Sequence, residues 1–277
     1  MTPTHQDYQA WLPSVCHLAR QAGLVIMDIY QCPDCHVEQK QDGSPVTEAD
    51  RLADQLIREG LTKLTPHIPV VSEENLVNTP FAQRQAWSCF WLVDPLDGTK
   101  EFVERTNEFC VNIALVVDGI ARLGVIFAPV TNQMFSAYEG GEAMLARDGR
   151  LQKLRTRTPA QAPFKVTASR RHGRRLDSVL ERLKDEGVEY LPMGSALKSC
   201  LVATGQADIY PRFGPTSHWD TAASQVIVEA AGGALLDMSL QPLRYFPTED
   251  LLNPHFVVIG DLAWLQEHAV MLSALSA

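Results

Sequence analysis

The chain has 277 residues, enough to bury one large core or two of ordinary size, and its 45% hydrophobic and 21% charged content is that of a globular protein. A formal net charge of -9 excludes a general nucleic-acid or anionic-membrane binder, which needs a basic surface to displace counterions. An anionic ligand must therefore meet local positive charge, from a metal or from a few well-placed Lys and Arg.

Residues 1–30 carry no basic stretch ahead of an apolar run, and the longest apolar run, 24–27, is far too short to span a membrane. The expected location is the cytoplasm, with peripheral attachment at the cytoplasmic face of the inner membrane left open. Cysteines Cys16, Cys32, Cys35, Cys89, Cys110 and Cys200 lie mostly in apolar segments, which suits reduced core thiols better than a disulfide framework.

In chain order, Trp11, Val15, Leu18, Ala22 and Val25 or Ile26 recur at helical spacing and predict a helix over 7–30. After the turn-like 42–45, Thr47 as N-cap with Asp50 three residues on opens a second helix, whose buried stripe is Leu52, Leu56, Ile57, Leu61 and Leu64. Short strands follow at 68–72 and 89–93. Residues 111–150 have strand period, broken by Asp118-Gly119, Glu139-Gly140-Gly141 and Asp148-Gly149, and predict an antiparallel meander. The polar, proline-containing 155–163 reads as a linker. Beyond it come helix 176–186, strand 190–193, helix 196–204, strand 208–210, helix 221–231, strands 235–236 and 256–259, and a last helix. The expectation is an α+β protein: an N-terminal part, 1–158, with an antiparallel sheet, helices and most metal ligands, and a C-terminal α/β part, 159–277.

The strongest chemical signal is Trp91-Leu92-Val93-Asp94-Pro95-Leu96-Asp97-Gly98-Thr99, an apolar strand that runs into two carboxylates. Pro95 fixes a turn after Asp94, so that both carboxylates and the Leu96 carbonyl can converge, and the Gly98 and Thr99 N–H groups can meet an anion. Oxygen ligands favour a hard cation such as Mg2+. A plain helix cap is the competing reading for each acid, Asp50 beside Thr47 and Asp220 in Ser217-His218-Trp219-Asp220 included, and Glu73-Glu74 reads equally as a solvated loop.

Taken together, Ser44-Pro45-Val46-Thr47-Glu48-Ala49-Asp50, Ser72-Glu73-Glu74, the Asp94 to Thr99 motif and Trp219-Asp220-Thr221-Ala222 with Glu229-Ala230-Ala231-Gly232-Gly233 resemble the inositol monophosphatase superfamily of metal-dependent, lithium-sensitive phosphatases. The resemblance covers nearly the whole chain. It implies a layered αβαβα sandwich and two to three Mg2+ ions. Glu73, Asp94 and the Leu96 carbonyl would bind one ion; Asp94, Asp97 and Asp220 the second; a weaker third would sit near Glu73. Thr99 paired with Asp50, and Glu73 with them, would position the attacking water, which attacks in line with no covalent intermediate. Cysteines and histidines have no part in this account.

Within the superfamily, Gly194-Ser195-Ala196-Leu197-Lys198-Ser199-Cys200 and Tyr210-Pro211-Arg212 resemble the bacterial 3'(2'),5'-bisphosphate nucleotidases, which convert adenosine 3',5'-bisphosphate to AMP and support sulfur assimilation. That resemblance implies that Ser195, Lys198 and Arg212 hold the uncleaved phosphate, that Ser169 and His172 lie near base and ribose, and that Gly98, Thr99 and Asp220 also touch the substrate. As bare residues, Lys198 reads equally as the exposed face of a helix and Arg212 as a strand end. An inositol-phosphate or sugar-bisphosphate phosphatase is the alternative enzyme, and a binding or regulatory protein on the same fold the alternative class. Oligomeric state is left open. Cys32-Pro33-Asp34-Cys35-His36 matches redox and haem-attachment patterns, yet it lies between two helices with neither export signal nor second zinc knuckle, and is read as a loop.

Overall fold

A computed structural model describes residues 2–32, 37–39, 45–170 and 174–273. The turn at 42–44, the Cys35-His36 end of the paired-cysteine loop and His172 lie outside the described residues. The elements begin with α1 (His5–Tyr30), β1 (Val37–Gln39), β2 (Pro45–Thr47), α2 (Glu48–Leu64), β3 (Val70–Ser72), α3 (Phe81–Arg84), β4 (Cys89–Asp97) and α4 (Thr99–Val103). A run of strands follows: β5 (Cys110–Val117), β6 (Ile120–Ala128), β7 (Gln133–Tyr138), β8 (Met144–Arg147), β9 (Arg150–Lys153) and β10 (Phe164–Ala168). The chain continues through α5 (Arg174–Leu183), β11 (Val188–Pro192), α6 (Leu197–Ala203), β12 (Ile209–Arg212), α7 (His218–Ala230), β13 (Ala234–Asp237), β14 (Phe256–Ile259) and α8 (Leu262–Ser273).

Strands β3 to β9 form a seven-stranded sheet in sequence order, antiparallel except for the β3–β4 pair. Asp118-Gly119 and Asp148-Gly149 close two of its hairpins with positive φ at both residues, the backbone of the turn that suits the twist of a hairpin. The second sheet has the order β11-β10-β12-β14-β13 and is mixed, parallel around β10 and antiparallel around β14.

Alternation along β4 and β5 shows why the large sheet is covered twice. Trp91, Val93, Val111, Ile113 and Leu115 pack with the α1 and α2 residues Val15, Ala22, Ile26, Ala53 and Ile57. Their neighbours Phe90, Leu92, Cys110, Ala114 and Val116 pack with α6 and α7 and with Leu235 and Val258 of the second sheet. Helices α5 and α8 cover the far face of that sheet through Leu176, Val179, Trp264 and Leu265. The result is the five-layer αβαβα sandwich. Residues 158 and 159 lie in the segment that joins β9 to β10, and α6 and α7 fill the layer between the sheets.

Helix α2 starts where expected, with a reciprocal Thr47–Asp50 capping box, but its buried face is shifted: Ala49, Asp50, Ala53, Asp54, Ile57 and Leu61 are buried, and Leu52 is 41% exposed. Small side chains let α2 lie close to its neighbours, so hydrophobicity alone misplaced the stripe. Among the described residues, no helix is long and apolar enough to cross a membrane.

Helix α7 lies unusually near the sheet at Gly124 of β6, where a Cβ would stand 2.3 Å from the Ala223 carbonyl oxygen. Because that neighbour is backbone, Gly124→Ala should cost about 1–3 kcal/mol and lower Tm by several degrees in calorimetry. An unchanged Tm would mean that α7 and the sheet do not pack at this distance.

Candidate active site

Two residues three apart in a regular strand point to opposite faces, so Asp94 and Asp97 would be separated by the sheet. They are not, because β4 bulges. Asp94 pairs with Asn112 and Asp97 with Cys110, so three steps along β4 face two along β5. Pro95 sits in the bulge, where a missing N–H does no harm to the ladder. The strand therefore runs on through Asp97 instead of turning after Asp94, and both carboxylates emerge on the α7 face. Asp94 is 2% exposed and accepts the Leu96 N–H at 3.0 Å. Gly98 then takes φ +95, with a Cβ position only 3.0 Å from the Glu108 carbonyl oxygen, and α4 begins at Thr99.

Asp220 reaches the same place from the first turn of α7. It occupies the third position of a capping box with Ser217, whose N–H donates to Asp220 Oδ2 at 2.8 Å. One oxygen each of Asp94, Asp97 and Asp220 lies within 4.8 Å of the others. Asp50 repeats the arrangement on α2: its Oδ2 accepts from the Thr47 N–H and hydroxyl at 2.7 and 2.6 Å, and its Oδ1 accepts from the Thr99 hydroxyl at 3.0 Å. The Leu96 carbonyl is a second acceptor for that hydroxyl, at 3.2 Å. The capping reading of Asp50 and Asp220 thus holds, and it leaves Asp220 beside Asp94 and Asp97 and Asp50 beside Thr99. Glu73, at the start of a short 3-10 helix, lines the cleft and adds its charge to the field at Asp94, Asp50 and Asp220.

Burial raises the pKa of Asp94 well above the usual carboxylate range, and the charges of Glu73, Asp97 and Asp220 raise it further. Burial, then Asp97, pushes Asp220 up to about 8. Burial raises Asp97 too, while Lys198, the Ala196 N–H at 2.5 Å and the Asn112 amide at 3.1 Å favour its ionised form. An all-oxygen donor set whose members repel one another fits a hard divalent cation, which would relieve the repulsion.

The carboxylates open into a cleft of about 280 Å³ that is also lined by Gly98, Thr99, Ser169, Ser195, Lys198 and Arg212. Lys198 is not on an exposed helix face: it is 4% exposed, its Nζ donates to the Ser195 carbonyl at 2.6 Å, and it stands 5.3 Å from the centre of the Tyr210 ring. Burial lowers its pKa to about 8 against the pull of Asp97. Arg212 donates to the Ser169 hydroxyl at 3.3 Å and the Pro215 carbonyl at 3.1 Å, and its buried Nε has no partner among the described residues.

Sequence reasoning missed Asn112, Tyr210, the Ala196 N–H and Cys110, and it set every cysteine aside. The buried Cys110 thiol in fact lies 3.7 Å from Asp97 Oδ2 and 3.6 Å from the Ser195 hydroxyl. A signal for Asn112 existed, as a lone amide in the apolar run of β5. His218 is buried edge-on against Tyr245 in the core.

The family model described as the inositol monophosphatase family matches residues 7–274. The 3'(2'),5'-bisphosphate nucleotidase CysQ of Escherichia coli strain K12 is 46% identical over 89% of this chain and 98% of its own length. The protein of the same name from Haemophilus influenzae is 40% identical over 90% and 93%. Among solved structures, CysQ from Bacteroides thetaiotaomicron superposes with a TM-score of 0.81 at 38% identity, covering 91% of this chain and 98% of that one. The Thermotoga maritima IMPase gives 0.76 at 26% identity, over 94% and 95%. By its sequence from end to end and by its layered fold, the chain belongs to the inositol monophosphatase family.

Proposed function

We propose that this chain is a Mg2+-dependent phosphatase that removes the 3'-phosphate of adenosine 3',5'-bisphosphate to give AMP and phosphate. In this reading Glu73, Asp94, the Leu96 carbonyl, Asp97 and Asp220 hold two to three Mg2+ ions. The observation that carries it is one cleft shared by a carboxylate cluster, with Asp94 buried and Asp97 and Asp220 half-buried, and two cations, Lys198 and Arg212. Relatives named as bisphosphate nucleotidases support the substrate class. Cytoplasmic clearance of a by-product of sulfur assimilation is the role that goes with this substrate.

When bound, Mg2+ supplies a Lewis acid for the phosphoryl oxygens and lowers the pKa of a coordinated water. The chain supplies orientation. The single Thr99 hydroxyl proton is engaged by Asp50 and the Leu96 carbonyl, so the oxygen offers its lone pairs to the cleft and can accept a hydrogen bond from the attacking water. Lys198 acts as a point charge and Arg212 as a planar donor for the phosphate that stays, with the Ser195 and Ser169 hydroxyls beside them. Near base and ribose, Ser169 is joined in this reading by His172.

Three outcomes test this reading. Asp97→Asn or Asp220→Asn should lower kcat by about a hundredfold or more with circular dichroism unchanged, since each removes a charged ligand. Near-native turnover at saturating Mg2+ in either variant would dismiss the assigned site.

Replacing Lys198 and Arg212 together with Ala should raise KM for adenosine 3',5'-bisphosphate strongly, at about tenfold to a hundredfold per residue. Inositol 1-phosphate has no second phosphate, so its hydrolysis should change far less. Equal losses on both substrates would turn the specificity assignment down.

The third outcome is a pH dependence. A carboxyl whose pKa is raised by folding stabilises the folded state below its unfolded pKa and loses that contribution as pH rises through the folded value. For Asp220 the window runs from about 4 in the unfolded chain to about 8 in the folded one. The Tm gained on adding Mg2+ should therefore grow from pH 5 to pH 8, as protonated carboxyls lose their protons to solvent and, once ionised, gain the cation. A gain that is flat across this range would contradict the assignment of Asp220.

A further inference from the structure

Loop 194–196 bears on both halves of the site: the Ala196 N–H donates to Asp97 Oδ2 at 2.5 Å, and the Ser195 carbonyl accepts from Lys198 at 2.6 Å. It holds a backbone shape that must be enforced, because Ser195 has φ +51, a left-handed conformation unfavourable for a residue with a Cβ. What enforces it comes from outside the loop. Glu108, between α4 and β5, accepts the Gly194 N–H on Oε2 at 2.8 Å. Its backbone is pressed against the loop as well: a Cβ on Gly194 would stand 2.9 Å from the Glu108 carbonyl oxygen and 3.0 Å from its Cβ. Both Glu108 oxygens also take hydrogen bonds from the Arg170 guanidinium.

We infer that Glu108 is a positioning residue, whose carboxylate, by accepting the Gly194 N–H, sets the loop that orients Asp97 and Lys198. The inference rests on the reading of Asp97 as a metal ligand. The two bonds that Glu108 makes differ in weight. The Arg170 side chain is 50% exposed, so that ion pair is largely screened and contributes little, whereas the Glu108 side chain is 14% exposed and its bond to Gly194 fixes backbone. Reach, rather than charge, is then the property that matters. A displaced loop releases one of the donors that hold the Asp97 carboxylate in its rotamer, and partners of this kind tune metal affinity.

The test is calorimetric Mg2+ binding to the full chain without substrate, with Tm measured alongside. Glu108→Gln keeps the acceptor for Gly194 and gives up the charge; Glu108→Asp keeps the charge and is one methylene too short. The expected result is Mg2+ binding weakened about fivefold or more in Glu108→Asp and changed less than about twofold in Glu108→Gln, with similar Tm for both. KM for the bisphosphate should follow the same order, because Lys198 is held by the same loop. Native Mg2+ affinity in Glu108→Asp, or equal weakening in both variants, would overturn the role of Glu108. Should Glu108→Asp not fold, Gly194→Ala perturbs the same junction from the other side and is expected to weaken Mg2+ similarly; native affinity there would overturn the inference too. A wild-type chain that binds no Mg2+ would instead remove the metal reading, and this inference with it.

Discussion

The contact between the Ala223 carbonyl of α7 and the bare backbone of Gly124 sets how near the middle helix layer can come to the large sheet. That spacing decides whether a carboxylate on the first turn of α7 can meet two others at the end of β4. Asp220 is distant in sequence from Asp94 and Asp97, and neither β4 nor α7 has a reason of its own to gather acids. The core that joins β4, β5, α7 and the second sheet does so by burying their apolar faces together, and the acids are carried along.

What the packing brings together, electrostatics would push apart. Burial raises the pKa of all three carboxylates, neighbouring acids raise Asp94 and Asp220 further, and the chain offsets only part of this. N–H groups of Leu96, Ala196 and Ser217 each serve one of them, and Lys198 stands beside Asp97 at the expense of its own solvation. Such a site is a local instability maintained by a large apolar surround, the usual relation between a charged functional cluster and the scaffold that bears it. Protonation removes this repulsion, and in the proposed reading a cation would remove the same repulsion.

Much of this was legible in the residues. Asp-Gly turns, the Thr47 cap and the strand that ends in Asp94-Pro95-Leu96-Asp97 follow from local chemistry, and local chemistry is what a sequence displays. The bulge was not legible, because a proline after an aspartate is compatible with a turn as well as with a bulged strand; pairing with β5 decides between them. Burial of Lys198 was hidden for a similar reason, since its helix is short and its face is chosen by the second sheet. The misplaced stripe of α2 shows the same limit: Leu52 is more apolar than Ala53, but only the small residue fits against the neighbouring helix. Cys110 escaped because a thiol in an apolar strand looks like any other core residue, and its place opposite Asp97 depends on register.

Asp50 and Asp220 are each the third residue of a helix capping box, and each also reaches the cleft, Asp220 by lining it and Asp50 through the Thr99 hydroxyl. A lineage that lost the need for catalysis would still be selected to keep its helix starts, and among single replacements asparagine retains an oxygen for the cap where alanine does not. Relics of this site in a folded but silent relative would thus carry amides at these two places, while Asp94, which caps no helix, would be free to drift further.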